Sequence, residues 1–198
     1  YFEGSATFGT TTLTSSGYED IFVAKIDPNG NWFWAKQAGG TDYDGGNDIA
    51  VDTNGNIYFT GNFRDSAIFG TTTLTSSGDG NIFVAKMDKS GNWLWAKQAW
   101  GTTGNYGYGI TVDANGNIYV IGHFFGSATF GTTTLTSSSK YSDIFVAKLD
   151  SNGNLLWAKK AGGTNSDYSH SIAVDDNGNS YVTGDFSGSA TFGNTTFT

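Results

Sequence analysis

The segment Phe8-Gly9-Thr10-Thr11-Thr12-Leu13-Thr14-Ser15-Ser16 returns from Phe69 and again from Phe130, and a shortened version runs from Phe192 to Thr198. The intervals are 61, 61 and 62 residues. The extra residue falls in the loop Ser139-Lys140-Tyr141-Ser142. A chain built this way folds as copies of one small unit, and each copy covers the apolar faces that its neighbour cannot cover alone.

Three more segments repeat in step. Ile-Phe-Val-Ala-Lys begins at Ile21, Ile82 and Ile144, and Trp-Ala-Lys begins at Trp34, Trp95 and Trp157. An Ile-x-Val-Asp run begins at Ile49, Ile110 and Ile172 and leads through Gly-Asn to a Tyr-containing segment. Thr, Val, Ile and aromatic residues between Gly- and Asn-rich punctuation favour strands over helices. Asp27-Pro28-Asn29-Gly30-Asn31 and Asp52-Thr53-Asn54-Gly55-Asn56 recur from Asp88, Asp150, Asp113 and Asp175. Asn-Gly between apolar runs is a strong hairpin signal, because both residues tolerate positive φ, and the Asp at the turn entrance can accept bonds from backbone N–H groups two or three residues on. Each unit therefore reads as four antiparallel strands, with a Thr-rich hairpin inserted between the second and third.

Strict alternation puts Ile21 and Val23 on one face and Phe22, Ala24 and Ile26 on the other. It likewise puts Trp32 and Trp34 together, opposite Phe33 and Ala35. Both faces are apolar, so each sheet needs cover on both sides. The expected fold is all-β: a β-propeller of four-stranded antiparallel blades of about 61 residues, stacked around an axis. A solenoid of stacked sheets is the rival. The units divide as 1–40 (partial), 41–101, 102–163 and 164–198 (partial). Starting and stopping in mid-blade predicts either that copies pool partial blades or that the chain is a window on a longer array, with the array preferred.

Ile172 to Gly184, reading Ile-Ala-Val-Asp-x-Asn-Gly-Asn-x-Tyr-Val-Thr-Gly, and Phe145 to Trp157, reading Phe-Val-Ala-Lys-x-Asp-x-x-Gly-x-x-x-Trp, resemble the bacterial SBBP-type β-propeller repeat. The resemblance covers essentially the whole chain. It implies a fold more than a function, and such repeats occur in many exported and surface proteins. The Thr-rich insert is longer than the simplest members carry.

Acidic residues number 18 against 10 basic, a net charge of −8. Such a surface repels nucleic acid and anionic lipid, so neither is expected as a partner. Cysteine is absent, which removes thiolate metal sites and thiol nucleophiles. No apolar run reaches the roughly 20 residues of a membrane-spanning helix.

The recurring Asp turns read as capping groups instead of paired catalytic acids, and no cofactor is expected. Their Asp-x-Asn-Gly-Asn spacing touches only the start of a calcium loop, leaving weak calcium binding as an expectation for the turns. His123 and His170 do not recur and read as solvated loop histidines. A Ser–His–acid set is conceivable around His170, Ser169 or Ser171, and Asp167, but neighbours in one loop lack the orienting geometry of a triad. The chain is thus read as a non-enzyme. The recurring lysines are expected along aromatic neighbours beside turn carboxylates, and the recurring Trp residues in the core between units.

Positions that diverge among near-identical units are those the scaffold does not dictate. They fall at 41–48, 102–109 and 164–171, and drift in unconstrained loops is the competing explanation. Asp42, Tyr43 and Asp44 stand in the first stretch, Asn105, Tyr106 and Tyr108 in the second, and Asp167, Tyr168 and His170 in the third. Trp100 joins them, because the corresponding residues are Gly39 and Gly162. Flat aromatic rings with directional polar groups suit a glycan or a surface protein. Weak modification signals stand at Asn194 (Asn-Thr-Thr) and at Ser66 in Asp-Ser-Ala.

The expected role is a structural and adhesive module of an extracellular or cell-surface protein, partnered by other copies or flanking repeats. An oligomeric glycan-binding lectin, completing its propeller between chains, is the alternative.

Overall fold

The computed structural model describes residues 1–76, 78–101 and 103–198. Within them every regular element is a strand and all sheet pairing is antiparallel. The first unit holds β1 (Ser5–Phe8), β2 (Thr11–Thr14), β3 (Ile21–Ile26) and β4 (Trp32–Gly40). The second holds β5 (Asp44–Val51), β6 (Ile57–Phe63), β7 (Ser66–Phe69), β8 (Thr72–Thr75), β9 (Asn81–Met87) and β10 (Trp93–Gly101). In the third, the same places are taken by β11 (Asn105–Val112), β12 (Ile118–Phe124), β13 (Ser127–Phe130), β14 (Thr133–Thr136), β15 (Asp143–Leu149) and β16 (Leu155–Gly163). The fourth has β17 (Tyr168–Val174), β18 (Ser180–Asp185), β19 (Ala190–Phe192) and β20 (Thr195–Phe197).

Each complete unit contributes a four-stranded meander, β5-β6-β9-β10 and β11-β12-β15-β16. The Thr-rich hairpin does not join the sheet of its own unit. β7–β8 pairs with β4, β13–β14 with β10, and β19–β20 with β16, so each hairpin extends the outer edge of the preceding sheet. The junction is short: Gly39↔Ile68 and Gly40↔Ala67, Trp100↔Thr129 and Gly101↔Ala128, Gly162↔Thr191 and Gly163↔Ala190. Ala67, Ala128 and Ala190 are fully buried there. The sheets are open and close no ring.

Neighbouring sheets pack face to face. Ile21 and Val23 meet Phe59, Phe83 and Met87, while Ile82 and Val84 on the reverse face meet Val120, Ala147 and Leu149. Burial on both faces therefore comes from stacking, as the apolar pattern of the strands requires.

The turns share one geometry. Asp27 N–H donates to Asn31 O and Gly30 N–H to Asp27 O, with Gly30 at positive φ. This is a three-residue loop whose glycine takes the left-handed position. The Asp27 carboxylate accepts from the N–H groups of Asn29 and Asn31, two and four residues on, and from Asn31 Nδ2. The same set recurs at Asp52, Asp88, Asp113, Asp150 and Asp175. Bonds from the fourth-following Asn hold Asp27, Asp150 and Asp175 below the usual carboxylate range.

Strict alternation also fails next to these turns. Lys25 pairs with Trp34 but Ile26 with Trp32, so a bulge at Phe33 sends the two Trp side chains to opposite faces. Trp93 accordingly packs on Phe59 and Phe69, whereas Trp95 packs toward Tyr58. The lysines lie as expected: Lys86 Nζ is 4.9 Å from the Tyr58 ring centroid and Lys148 Nζ is 4.7 Å from that of Tyr119. Lys148 also sits 3.9 Å from Asp113.

Candidate functional site

The first strand of each of the last three units carries a bulge at one place. Pairing skips from Gly46 to Asp48 in β5, from Gly107 to Gly109 in β11 and from Ser169 to Ser171 in β17. The unpaired residues are Asn47, Tyr108 and His170, and a bulge of this kind re-aims the extra side chain. β5 contacts β11 and β11 contacts β17, so these bulges lie on successive neighbouring strands.

What the bulge does depends on the unit. Asn47 Nδ2 donates to Gly107 O at 2.8 Å, and Asp48 Oδ2 accepts from Ile110 N–H at 2.8 Å, tying β5 to β11. In the next unit Tyr108 replaces Asn47, and an aromatic cluster forms instead. His123 stacks on Tyr108 (4.9 Å between centroids, 21°) and meets Tyr168 edge-on at 4.9 Å. Tyr106 lies 5.3 Å and Phe125 6.0 Å from the same imidazole. Tyr108 and Tyr168 remain 37% and 39% exposed, so the cluster presents ring faces to solvent.

His123 is not the solvated loop residue its sequence context suggests. It belongs to β12, is 6% exposed, and its Nδ1 has no hydrogen-bond partner. Burial, and secondarily the charge of His170, lowers its pKa to about 4, so the ring is neutral at pH 7. His170 is also in a strand, β17, and is exposed. Its Nε2 lies 2.7 Å from Asp185 Oδ2 and not beside Asp167. Ser169 is buried while His170 faces solvent, so the Ser–His–Asp set drawn from sequence is not assembled.

The divergent residues thus separate into groups. Tyr106, Tyr108, Tyr168 and His170 gather around the bulged strands. Tyr43 stacks on Tyr18 (4.9 Å, 4°) with the Arg64 guanidinium 5.6 Å from its ring, and Asp42 accepts from Tyr43 N–H. Trp100 stands apart at the junction with β13.

Asp44, Asn105 and Asp167 are a correction to the binding face: all three are fully buried and work as internal ties. Asp44 accepts from the N–H groups of Gly40 and Arg64, and Asp167 from those of Gly163 and Ser187. Asn105 Nδ2 donates to Thr103 O. Burial pushes the Asp44 carboxyl up to about 7, with the charges of Asp20 and Asp42 adding to the rise.

His123, Phe125 and the bulge were missed from sequence. The available signal was the Tyr-Gly-Tyr of Tyr106 to Tyr108, which breaks the alternation of β11 at the residue where the bulge falls. Among the described residues no three His, Asp or Glu side chains group to hold a metal ion, and no helix is long and apolar enough to cross a membrane. Ser66 begins β7, and Asn194 lies in the exposed turn before β20.

Antiparallel units of this kind, stacked face to face with tight Asn-Gly turns, define the chain as a β-propeller-type repeat protein. Residues 34–62, 94–123 and 156–185 each match the SBBP family, described as a beta-propeller repeat. Each match runs from the last strand of one unit through the first two of the next. The Thr-rich hairpins lie outside the matches, whereas Tyr106, Tyr108, His123, Tyr168 and His170 lie inside them.

The chain is 30% identical over 173 residues to an uncharacterized WD repeat-containing protein of Acanthamoeba polyphaga mimivirus, covering 78% of this chain and 12% of that protein. It is 27% identical over 136 residues to the regulatory protein FlaEY of Caulobacter vibrioides, covering 66% of this chain and 14% of that protein. It therefore spans only about an eighth of the length of these curated relatives. A solved protein of unknown function from Bacteroides caccae shares 16% identity at a TM-score of 0.28, over 84% of this chain and 62% of that one.

Proposed function

We propose that the chain is a non-catalytic binding and spacing module of an extracellular or cell-surface protein, whose units of about 61 residues serve as propeller blades. The observation that carries this reading is the convergence of Tyr106, Tyr108 and Tyr168 around the buried neutral His123, where the second unit has Gly45, Asn47 and Asn62. Half-exposed ring faces stack on the apolar face of a sugar, and the tyrosine hydroxyls together with the His170–Asp185 pair supply directional bonds at the rim. A panel of immobilised glycans tests it. Tyr108→Ala and Tyr168→Ala should each weaken a saturable interaction at least tenfold, leaving the melting temperature nearly unchanged. Saturable binding indifferent to both substitutions would place the ligand elsewhere. Turnover of a glycan that depends on one Asp would overturn the non-catalytic reading.

A second observation favours the ring completed between copies. Among the described residues the outer edges of β3 and β18 have no strand partner, yet they hold the two halves of a contact made twice elsewhere. Tyr58 pairs with Lys86 and Tyr119 with Lys148, whereas Lys25 and Tyr181 are each left without the other. Two chains joined at these edges would give six sheets, within the roughly 4–8 blades of closed propellers. Either β1–β2 or β19–β20 would then yield its place, because both answer to the edge of β16. Sedimentation should give twice 21.0 kDa, and Tyr181→Asp should return the mass to one chain. A monomer at all concentrations would leave flanking repeats of a longer polypeptide as the partners.

A further inference from the structure

Corresponding positions build the seam between the first and second units and the seam between the second and third, but they do not fill them equally. In the first seam four rings interlock. Phe59 lies 5.6 Å from Phe83 and 5.8 Å from Trp93, while Phe69 lies 4.9 Å from Phe83 and 5.6 Å from Trp93. In the second seam the matching residues are Val120, Phe130, Phe145 and Leu155. Only one of those contacts survives, Phe130 to Phe145 at 4.8 Å. Two aromatic rings have become aliphatic side chains, and a cavity of about 710 Å³ opens beside Val120, Phe130 and Leu155.

The hairpin turns record the same loss. A Cβ built on Gly70 would fall 2.6 Å from the Trp93 indole, but at Gly131 the nearest atom is Leu155 Cβ at 3.8 Å. The walls of the cavity include Ile82, Val84 and Leu149, all buried. Its exposed lip carries Lys97 and Trp100, which is 49% exposed and stands where other units have glycine. Ring loss inside and ring gain at the lip thus border one cavity.

We propose that this seam is a binding pocket for an apolar fused-ring aromatic compound. The rings take the space that Phe59 and Trp93 occupy in the sister seam, and Trp100 covers the open side. The volume falls within the roughly 300–1,000 Å³ of small-molecule sites.

Calorimetric titration of the 198-residue chain with 2-naphthol provides the test, and saturable binding is expected. Val120→Phe with Leu155→Trp restores the sister seam; it should abolish binding and raise the melting temperature. Leu155→Trp alone should weaken binding at least tenfold, and Trp100→Ala several-fold. A filled variant that still binds 2-naphthol as the parent does would overturn the assignment. So would a parent that binds nothing while the filled variant melts higher, since the cavity would then be a packing defect only.

Discussion

Gly122→Ala should destabilise the chain by about 3 kcal/mol or more, the range for forcing atoms into a packed interior. The cause is the bulge on the neighbouring strand. By adding a residue, it brings the carbonyl of Tyr106 against the Cα of Gly122, and the Phe145 ring closes the other side. A Cβ there would fall inside the van der Waals shell of that carbonyl oxygen and 2.7 Å from Phe145 Cζ. Gly61 repeats the arrangement, with Gly45 O and Phe83 in the same roles. Neither wall is the loose end of a flexible side chain, so relief requires the bulge itself to move, and Tyr108 with it. Urea denaturation measures the effect, and the melting temperature should fall by about 10 °C. Gly131→Ala is the control. Its φ of +57° costs roughly 1 kcal/mol, but its nearest neighbour stands 3.8 Å away. Equal losses at the two sites would mean that the bulge does not depend on Gly122.

Opposite responses to pH are expected from Asp44 and His123. The Asp44 carboxyl, raised from an ordinary 3.8 to about 7 chiefly by burial, favours folding in its neutral form. That contribution is complete below about pH 4 and disappears as the pH climbs through about 7. His123, lowered from 6.5 to about 4 by burial first and by His170 second, also favours folding when neutral. Its contribution is complete above about pH 6.5 and disappears as the pH falls through about 4. At about 1.4 kcal/mol per pKa unit, each group changes stability by roughly 2 kcal/mol between pH 5 and 7.5, and the two changes largely cancel in the parent. Relative to the parent, Asp44→Asn should gain stability at pH 7.5 over pH 5. His123→Asn should gain at pH 5 over pH 7.5. The junction between the second and third units already carries the neutral arrangement, with Asn81 and Asn105 where the flanking junctions pair Asp20 with Asp44 and Asp143 with Asp167, and Asn62 of the second unit stands where the third has His123. Stability differences that do not change with pH in either variant would remove both groups from the balance.

Most of the strand framework could be read from the repeat. Asp-x-Asn-Gly-Asn and the apolar pattern place the four strands of each unit, because turn chemistry and two-residue periodicity are local properties. Three things were not local. The destination of the Thr-rich hairpin depends on Gly40 and Ala67 meeting across units, and nothing in either segment names the other. The bulges at Phe33 and Tyr108 shift the alternation by one, which separates Trp32 from Trp34 and turns Tyr108 toward His123. The burial of Asp44, Asn105 and Asp167 also ran against their polar character: placed among divergent residues, they resemble a binding loop, yet they hold backbone N–H groups inside. Tyr106, Tyr108 and Tyr168 were visible as departures from the repeat. His123 was visible only as an unrepeated residue, because the cluster around it is closed by Tyr168 of the following unit.

The hairpins also govern how the chain answers a pull. Each is held to the preceding sheet by two residue pairs, far fewer than the meander strands share with one another. Tension applied between units meets these short junctions before it meets the sheets. Releasing one unclips a hairpin from the neighbouring sheet while β6 and β9 stay paired to each other. The strip beyond the sheet edge is thus a clasp between units, which can open and close again with the sheets intact.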